Sequence, residues 1–513
     1  MTHQLLNRLS FGPTKASKAR LEKLGYAAFL EEQLHPPTTL SPELKKRKKA
    51  FKFVVDKVPY KNRGFCYYDA PLEKSWKLLK EAAQEVKYLP PNEVVINNYY
   101  QAIYSEWQLE ELMVQFWHNH FTVNVDIDQR IGLALPTYDK IIRQHAFGNF
   151  RSFLEAVAAS PSMLFYLNNA KSKASPANEN FARELFELHT MGRQAYLANQ
   201  YSHWKEVPGA KEGKAVGFIE EDVYEAARAF TGWSVAHGVE EEGIKLPDTG
   251  EFMYINSWHD PYQKRVLGVE IPAHQGPLKD GQMVLDLVAY HHQTAVFMCT
   301  KLCHYFLGDS PPSSLIDKAV GLWVKTQQAP DQIRQILRLI LSSEEFHASL
   351  GTKFKTPFQL VISLFRSLEV EVAPNMHLRW MLRTLGQLSF GAPAPNGYPD
   401  AASYWSSSNM LLRRWNVMPK IFYSNWHKFF DDYEQLLPAP QQSAAAVVQQ
   451  SLEQLLGKEK AQHFAHKDAL IQLLLRENRT ADQAPLTYNE EDRRHQFAQI
   501  WAFIAMTPEF QYR

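Results

Sequence analysis

The sequence predicts a mainly α, multi-helix globular protein with an irregular, short-strand insertion around residues 200–276. Apolar residues recur at i, i+3 and i+4 along most of the 513 residues, which is the spacing of one helix face. Between 200 and 276 this spacing gives way to pieces rich in glycine, proline and charge. A hydrophobic content of 45% supplies enough apolar surface for a large core.

Helical spacing accounts for most elements in chain order. Before the insertion it predicts helices over residues 15–33, 71–88, 93–117, 138–145, 151–160 and 176–193. Within and after the insertion it predicts helices over 220–230, 281–307, 313–325, 331–342, 357–368, 376–385, 407–423 and 447–456, followed by two terminal helical segments. Alternating apolar residues, as in 251–255, predict short strands inside the insertion.

We expect two regions. Residues 1–351 form a helical core that carries the His and carboxylate motifs, and residues 352–513 form a C-terminal helical region packing on it. The boundary is placed near Thr352 because the later helices lack this density of His and carboxylate residues. A single domain is the alternative, since helical layers can share one core.

Composition disfavours several classes of function. The chain has 56 basic and 55 acidic side chains, so a nucleic-acid-binding protein is not expected. The one basic run, at residues 45–49, is typical of a solvated helix face. No segment has the roughly 18–20 consecutive apolar residues of a transmembrane helix. The first thirty or so residues carry charges without a continuous apolar run, so no signal peptide is predicted, and localisation stays open.

Glu184 is the most informative single residue. In a helix over 178–192, Phe181, Leu185 and Leu188 define an apolar face, and Glu184 falls among them. An unpaired carboxylate costs several kcal/mol to bury. Glu184 is therefore expected to meet a cation, a metal or a hydrogen-bond donor, or to bind a proton.

Two histidines end the apolar stripe that begins at Leu109. If the helix continued beyond Trp117, His120 would lie on the stripe and His118 on the other side. The two rings can share an ion only if the helix ends near Trp117. Otherwise one is a satisfied core histidine and the other is exposed.

Further candidates lie near these two motifs. Arg183, Glu187 and His189 share the Glu184 segment, where Arg183 could orient an anionic group and Glu187 or His189 could move protons. His259 and Asp260 follow an alternating stretch, and an aspartate there could orient an imidazole; a turn or solvent-facing role is the alternative.

Two functions are compatible with these residues. In the first, the protein is a hydrolytic or oxidative enzyme in which His118, His120, Glu184, His259 and Asp260 supply the ligands of a transition metal. Its catalytic residues would be Glu184, Glu187, His189 and Arg183. In the second, the protein is a non-catalytic helical scaffold or partner-binding protein whose polar core fixes helix register. A shared site predicts that His120 and Glu184 lie within hydrogen-bond distance or within reach of one ion or water.

Segments distributed over the whole chain carry a family resemblance. They include residues 5–14, 116–121, 148–150, 160–164, 178–192, 222–233, 301–303, 406–416 and 507–511. Together they resemble the bacterial domain-of-unknown-function family 1800. Tyr262 and Tyr398 depart from that family's pattern, where Gly and often Trp are usual. The resemblance implies a mainly α fold, frequent export, and a phosphatase-like protein of the domain-of-unknown-function family 1501 as a partner; it implies no activity.

Overall fold

Helices form most of the protein, which confirms the predicted mainly α class. The computed structural model describes residues 1–53, 63–81, 83–241, 244–369, 371–372, 375–423, 442–478 and 490–513. Up to the insertion its α-helices are Thr2–Leu9, Lys15–Leu24, Tyr26–Gln33, Pro42–Ala50, Leu72–Trp76, Leu89–Tyr104, Gln108–His120, Gln129–His145, Phe150–Ala158, Pro161–Tyr166 and Asn180–Glu184. A π-helical turn, Leu185–His189, directly follows the last of these.

Helices also dominate the rest of the chain. They are Glu220–Ala229, Lys279–Ala289, His292–Leu307, Ser313–Lys325, Gln332–Leu341, Glu344–Ala348, Pro357–Leu368, Met376–Thr384, Ala402–Trp405, Ser408–Tyr423, Ala444–Leu456, Lys458–Gln462, Lys467–Asn478, Glu490–Met506 and Pro508–Gln511. Short 3₁₀ helices cover Lys77–Lys80, Gln84–Tyr88, Asn169–Lys171, Arg193–Ala195, Trp204–Glu206, Ala210–Glu212 and Asn256–Trp258.

The predicted short-strand insertion is also confirmed. Its described strands form three antiparallel two-stranded sheets, which pair Trp233–His237 with Asp248–Tyr254, Glu240–Glu241 with Ile244–Lys245, and Lys264–Val266 with Val269–Ile271. In the first sheet Trp233 lies opposite Tyr254. The indole of Trp233 is fully buried, so this sheet packs against the helical core rather than extending from it.

Several predicted helix boundaries are wrong. The helix predicted over 71–88 is the short helix Leu72–Trp76 followed by two 3₁₀ helices, and the one predicted over 138–145 begins earlier, at Gln129. The helix predicted over 15–33 breaks at Gly25, whose φ of 74° is unfavourable for residues with a side chain. The helix predicted over 281–307 breaks before His291, whose ring accepts the N–H of Gln293 as an N-cap. The helix predicted over 93–117 is two helices, and the second continues through His120.

Three consecutive helices form the part of the core that carries the candidate site. Leu89–Tyr104, Gln108–His120 and Gln129–His145 pack against one another, and Pro357–Leu368 packs against the first of them. Trp117, from the second helix, is fully buried and donates its indole N–H to the carbonyl of Ala146 at 3.0 Å. These contacts fix the direction in which the side chains after Trp117 project.

The C-terminal helices share buried surface with the earlier ones. A continuous cluster of buried apolar side chains includes residues on both sides of Thr352. The backbones of Lys353 and Arg513 exchange two hydrogen bonds, of 3.1 and 2.7 Å. The division at residues 351 and 352 stays a prediction. No helix in the described ranges is both long and apolar enough to cross a membrane.

Candidate active site

His118 forms a buried pair with Asp139. Its Nε2 lies 2.7 Å from Asp139 Oδ1, and this contact joins the Gln108–His120 helix to the Gln129–His145 helix. Three further groups donate to the same carboxylate: the Tyr68 hydroxyl at 2.6 Å, the Asn98 amide at 3.0 Å and Arg143 Nε at 3.0 Å. Asp139 is fully buried, so these donors replace the water that an exposed carboxylate would bind.

The surroundings of Asp139 keep it ionised. Burial alone would raise its pKa, but Arg143, His118 and Tyr68 together hold the pKa well below its usual range. An ionised Asp139 accepts the Nε2 proton of His118, and in the neutral form of the ring Nδ1 is then an acceptor. That Nδ1 atom is buried and has no hydrogen-bond partner among the described residues. The pair therefore holds an oriented imidazole with one free basic nitrogen.

Two buried glutamates support this pair. Glu111 accepts from Arg143 Nη1 at 2.9 and 3.1 Å, so Arg143 bridges two carboxylates. Glu93 accepts the backbone N–H groups of residues 66–68, each at 2.7 Å, and so fixes the loop that brings the Tyr68 hydroxyl to Asp139. Both glutamates hold other groups in place and do not contact His118.

His120 has different partners from His118. Its Nδ1 lies 2.9 Å from Lys301 Nζ, and its Nε2 lies 3.1 Å from the carbonyl oxygen of His189. A lysine ammonium can only donate, so Nδ1 accepts and Nε2 carries the proton that is donated to the carbonyl. Burial, with the charge of Lys301, lowers the pKa of His120 well below its ordinary value, so the ring is neutral. Burial also lowers the pKa of Lys301, to about 8, although Asp400 offsets part of this effect.

Asn119 attaches the loop before Ala402 to this helix. Its amide donates to the Tyr398 carbonyl at 2.8 Å and accepts from the Tyr398 N–H at 2.7 Å. Gly397, next to Tyr398, has a φ of +71°, and a Cβ there would overlap the carbonyl oxygen of Asn119. The close approach requires glycine, and it places Asp400 in the wall of a cavity that His118 and Lys301 also line.

His118 and Lys301 line the same cavity, which has a volume of about 280 Å³. Polar side chains in its wall include Gln115, His304, Gln359 and Asp400. Most of the remaining surface is apolar and aromatic, with contributions from Phe116, Tyr305, Phe358 and Phe390. An apolar cavity with a few converging polar groups has the character of a site for a small molecule.

The comparisons with known proteins place the whole chain in one family. A family model described as "Protein of unknown function (DUF1800)" matches residues 4–512. The protein belongs to the DUF1800 family. No curated protein and no solved structure matches the chain. The family description gives no activity, so the chemistry of this DUF1800 protein has to be argued from its own side chains.

In this DUF1800 protein Glu184 is half-buried. Its Oε2 atom is buried and has no hydrogen-bond partner among the described residues. Burial and the nearby charge of Glu187 raise the pKa of Glu184, although Arg193 and Arg183 oppose them. Of the four environments considered for this carboxylate, proton binding agrees with the direction of the shift. Neither ring nitrogen of His120 contacts Glu184, because both have other partners.

The other predicted residues of the Glu184 segment are involved in local contacts. Arg183 contacts three carboxylates: Glu179 at 3.1 Å, Glu220 at 2.8 Å and Glu187 at 3.9 Å. Glu187 also pairs with Arg193, at 3.0 Å. His189 contributes its backbone carbonyl to His120, and burial, with the charge of Lys301, lowers the pKa of its ring to about 3. His189 is therefore neutral near pH 7 and has a buried Nδ1 without a partner among the described residues.

His259 and Asp260 belong to a separate ion-pair network. His259 Nε2 lies 3.2 Å from Asp280 Oδ2, which also accepts from the buried Lys264 at 2.7 Å. Asp260 pairs with Arg228 at 2.8 Å. Among the described contacts of these residues, none joins the network to His118, His120 or Glu184.

The predicted metal ligands are not brought into one set. In the part of the chain that the structure describes, no group of three or more His, Cys, Asp or Glu side chains is arranged to hold a metal ion. His118 and His120 contact different helices because their own helix continues past Trp117. The condition under which the two rings could share an ion is therefore not met.

Asp139, Arg143 and Lys301 were not predicted from the sequence as site residues. Asp139 and Arg143 stand at i, i+4 on one helix, next to the apolar Tyr138 and Ile142, and this was a detectable signal of a buried ion pair. No local signal could have paired Lys301 with His120, because the two residues are 181 positions apart.

Proposed function

We propose that the protein is a His/carboxylate-centred enzyme that hydrolyses a small molecule bound in the cavity between His118 and Lys301. The observation that carries this proposal is the free Nδ1 of His118, on a ring that Asp139 orients at the wall of an apolar cavity. A buried basic nitrogen with no partner is costly unless something binds to it. Water or a substrate hydroxyl is the simplest partner that a cavity can supply.

The proposed mechanism uses water and the side chains of this cavity. His118 Nδ1 removes a proton from the attacking water as the water oxygen bonds to the substrate, and the anionic Asp139 stabilises the imidazolium that forms. The imidazolium then gives this proton to the leaving group as the bond between that group and the substrate breaks. Lys301 lines the same cavity and provides a positive charge that positions the substrate for this attack. Asp139 is a positioning residue in this scheme, because it contacts the base and not the substrate.

The metal-dependent form of the hypothesis is supported by the sequence pattern alone. It would use His118, His120, Glu184, His259 and Asp260 as ligands, with Glu184, Glu187, His189 and Arg183 as catalytic residues. In the described structure His120 contacts Lys301 and His189, and Asp260 pairs with Arg228. These contacts occupy atoms that a metal would need.

A panel of chromogenic esters, amides and phosphate esters tests the hydrolytic proposal. We expect turnover that falls by about 10²–10⁴ in His118→Asn, the range for loss of a general base. His203→Asn, at an exposed histidine far from the cavity in sequence, is the matched control and keeps full activity. No turnover above that of His118→Asn for any compound contradicts the proposal.

The variant Asp139→Asn separates positioning from structure. We expect a loss of about 10–100-fold in kcat with little change in KM, because the ring is no longer held in one tautomer. Nitrogen-15 NMR of the His118 ring reports that tautomer directly. A loss of activity with an unchanged His118 spectrum would show that Asp139 acts in another way.

The scaffold alternative is favoured by a specific observation. Buried hydrogen bonds link three neighbouring helices and would fix helix register without any reaction; they join Asp139 and Arg143 to Glu111 on the second helix and to Asn98 on the first. The two functions differ in what His118→Asn does. In a scaffold this variant changes stability only, and no compound in the panel is hydrolysed by either protein.

A further inference from the structure

The positive charge of Lys301 in the cavity wall has no carboxylate of its own to balance it among the described residues. Lys301 Nζ donates to the neutral ring of His120 at 2.9 Å. The described carboxylate that acts on Lys301 is Asp400, and Asp400 is already paired with Lys353 at 2.8 Å. The ammonium of Lys301, on a half-buried side chain, therefore has no ion-pair partner of its own among the described residues. Such a charge is costly unless an anion joins it.

The walls beside Lys301 are apolar. Its Nζ lies 5.3 Å from the centre of the Phe297 ring. Phe116, Tyr305 and Phe390 line the cavity that Lys301 enters. A ligand that satisfies both the ammonium and these rings has an anionic end and an apolar body.

Other ligand charges fit the cavity less well. A cationic ligand would meet the unpaired Lys301 ammonium, and the only carboxylate in the described cavity wall, Asp400, already has a partner. A polyanion would meet one unpaired cation and would be repelled by Asp400. A single negative charge matches the single unpaired positive charge.

We propose that the cavity binds a small amphiphilic monoanion, with its carboxylate on Lys301 and its apolar body against the aromatic wall. This inference rests on the proposed function, because it names the substrate class of the same cavity. A carboxylate on Lys301 forms a charge-assisted hydrogen bond and removes the unpaired charge. His118 then faces the apolar body, where the bond to be hydrolysed would lie.

The charged and titratable groups around Lys301 give the pH dependence. His120 and His189 lie next to it on neighbouring segments, and His304 lies on its own helix. His118 and Asp400 line the same cavity, and Asp400 is paired with Lys353. His120 and His189 are neutral near pH 7, because burial lowers the pKa of each ring. The pKa of Lys301 is lowered to about 8, so its charge is lost as pH rises above that value. Anion binding should therefore weaken in alkaline solution.

Calorimetric titration with three probes of nearly equal shape tests the inference. Benzoate, benzamide and benzamidine carry charges of −1, 0 and +1 (roughly, at pH 7). We expect the wild-type protein to bind benzoate about tenfold or more tightly than benzamide, and benzamidine most weakly. Benzoate binding should fall by about tenfold between pH 7 and pH 9.5. Equal binding of benzoate and benzamide, or no heat with benzoate at about 10 mM, overturns the inference.

Variants assign the preference to one side chain. Lys301→Met should lose the preference for benzoate, Lys301→Arg should keep it, and Lys325→Met at an exposed helix end should match the wild type. Retention of the preference in a folded Lys301→Met protein overturns the assignment. If Lys301→Met does not fold, the test uses Lys301→Arg and the wild type. Loss of the preference for benzoate in Lys301→Arg, or its absence in the wild type, then overturns the assignment.

The His118→Asn variant separates this inference from the proposed function. We expect it to bind benzoate as the wild type does, because His118 removes a proton and does not hold the anion. Benzoate selectivity without any hydrolysis would support the anion site and contradict the enzyme. Hydrolysis that depends on His118, without selectivity for benzoate, would support the enzyme and contradict the anion site.

Discussion

The three side chains of His118, Asn119 and His120 each hold a different part of the molecule. His118 pairs with Asp139 on the Gln129–His145 helix, and Asn119 holds the loop at Tyr398. His120 contacts Lys301 on the His292–Leu307 helix. Adjacent residues on a helix project about 100° apart, so three consecutive polar side chains can reach three separate segments. The motif positions the two residues of the proposed mechanism that line the cavity, His118 directly and Lys301 through His120.

At Glu184 the structure predicts a specific pH effect. Its pKa is raised by burial and by Glu187, so the folded protein binds this proton more tightly than the unfolded chain. The stability that Glu184 contributes is then present below its unfolded pKa, near 4.3, and is lost as pH rises above it. Glu184→Gln should match the wild type near pH 4 and exceed it at pH 7 by roughly 0.3–1 kcal/mol in free energy of unfolding.

Urea unfolding at both pH values provides the measurement. The matched control is Glu251→Gln, at an exposed residue, and its stability relative to the wild type should be the same at pH 4 and pH 7. The opposite result would be that Glu184→Gln is less stable than the wild type, and that this loss of stability is larger at pH 7 than at pH 4. The ionised carboxylate would then have a stabilising partner in the folded protein. The predicted role of Glu184 as a metal ligand would then regain support.

At the scale of single elements, the turn after Glu184 explains why the regular α-helix predicted over residues 178–192 does not continue through the whole segment. Leu185–His189 is a π-helical turn, closed by the Thr190 hydroxyl on the Leu185 carbonyl at 2.6 Å and by the Gly192 N–H on the Phe186 carbonyl at 3.0 Å. A π turn inserts a residue relative to α spacing, so positions after it rotate away from the projected face. Such turns are frequent at functional sites, but no residue pattern in this segment announced it.

The loop at Gly397 provides a test of how the cavity wall is held. Gly397→Ala should destabilise the protein by on the order of 2–4 kcal/mol, because the residue has a positive φ and its Cβ would overlap the Asn119 carbonyl. Gly321→Ala is the matched control, since Gly321 lies in the Ser313–Lys325 helix with open space around its Cα. Alanine there should be neutral or stabilising by up to about 1 kcal/mol.

Thermal and urea unfolding of the two alanine variants would make the comparison. Equal stabilities would mean that the loop is free to move away from Asn119. The cavity wall that carries Asp400 would then not be fixed, and Asp400 would be free to move relative to Lys301.

At the scale of the whole molecule, residue patterns in the sequence predicted the features that depend on interactions between neighbouring residues. Helical spacing predicted most helices, and the loss of that spacing predicted the strand insertion, because both depend on neighbours in sequence. The polar pairs depend on contacts between distant segments: His118 and Asp139 are 21 positions apart, and His120 and Lys301 are 181 apart. Glu184 was predicted to be buried and is half-buried, and its environment depends on distant contacts that the sequence does not show.

A crystallographic screen with a library of small fragments tests the central claim most directly. The claim is that the cavity between His118 and Lys301 is the site where this protein binds its substrate. We predict that bound fragments concentrate in this cavity, with acidic fragments on Lys301 Nζ and hydrogen-bond donors on His118 Nδ1. Fragments bound elsewhere while this cavity takes up none, or acidic fragments there that avoid Lys301, would contradict the claim.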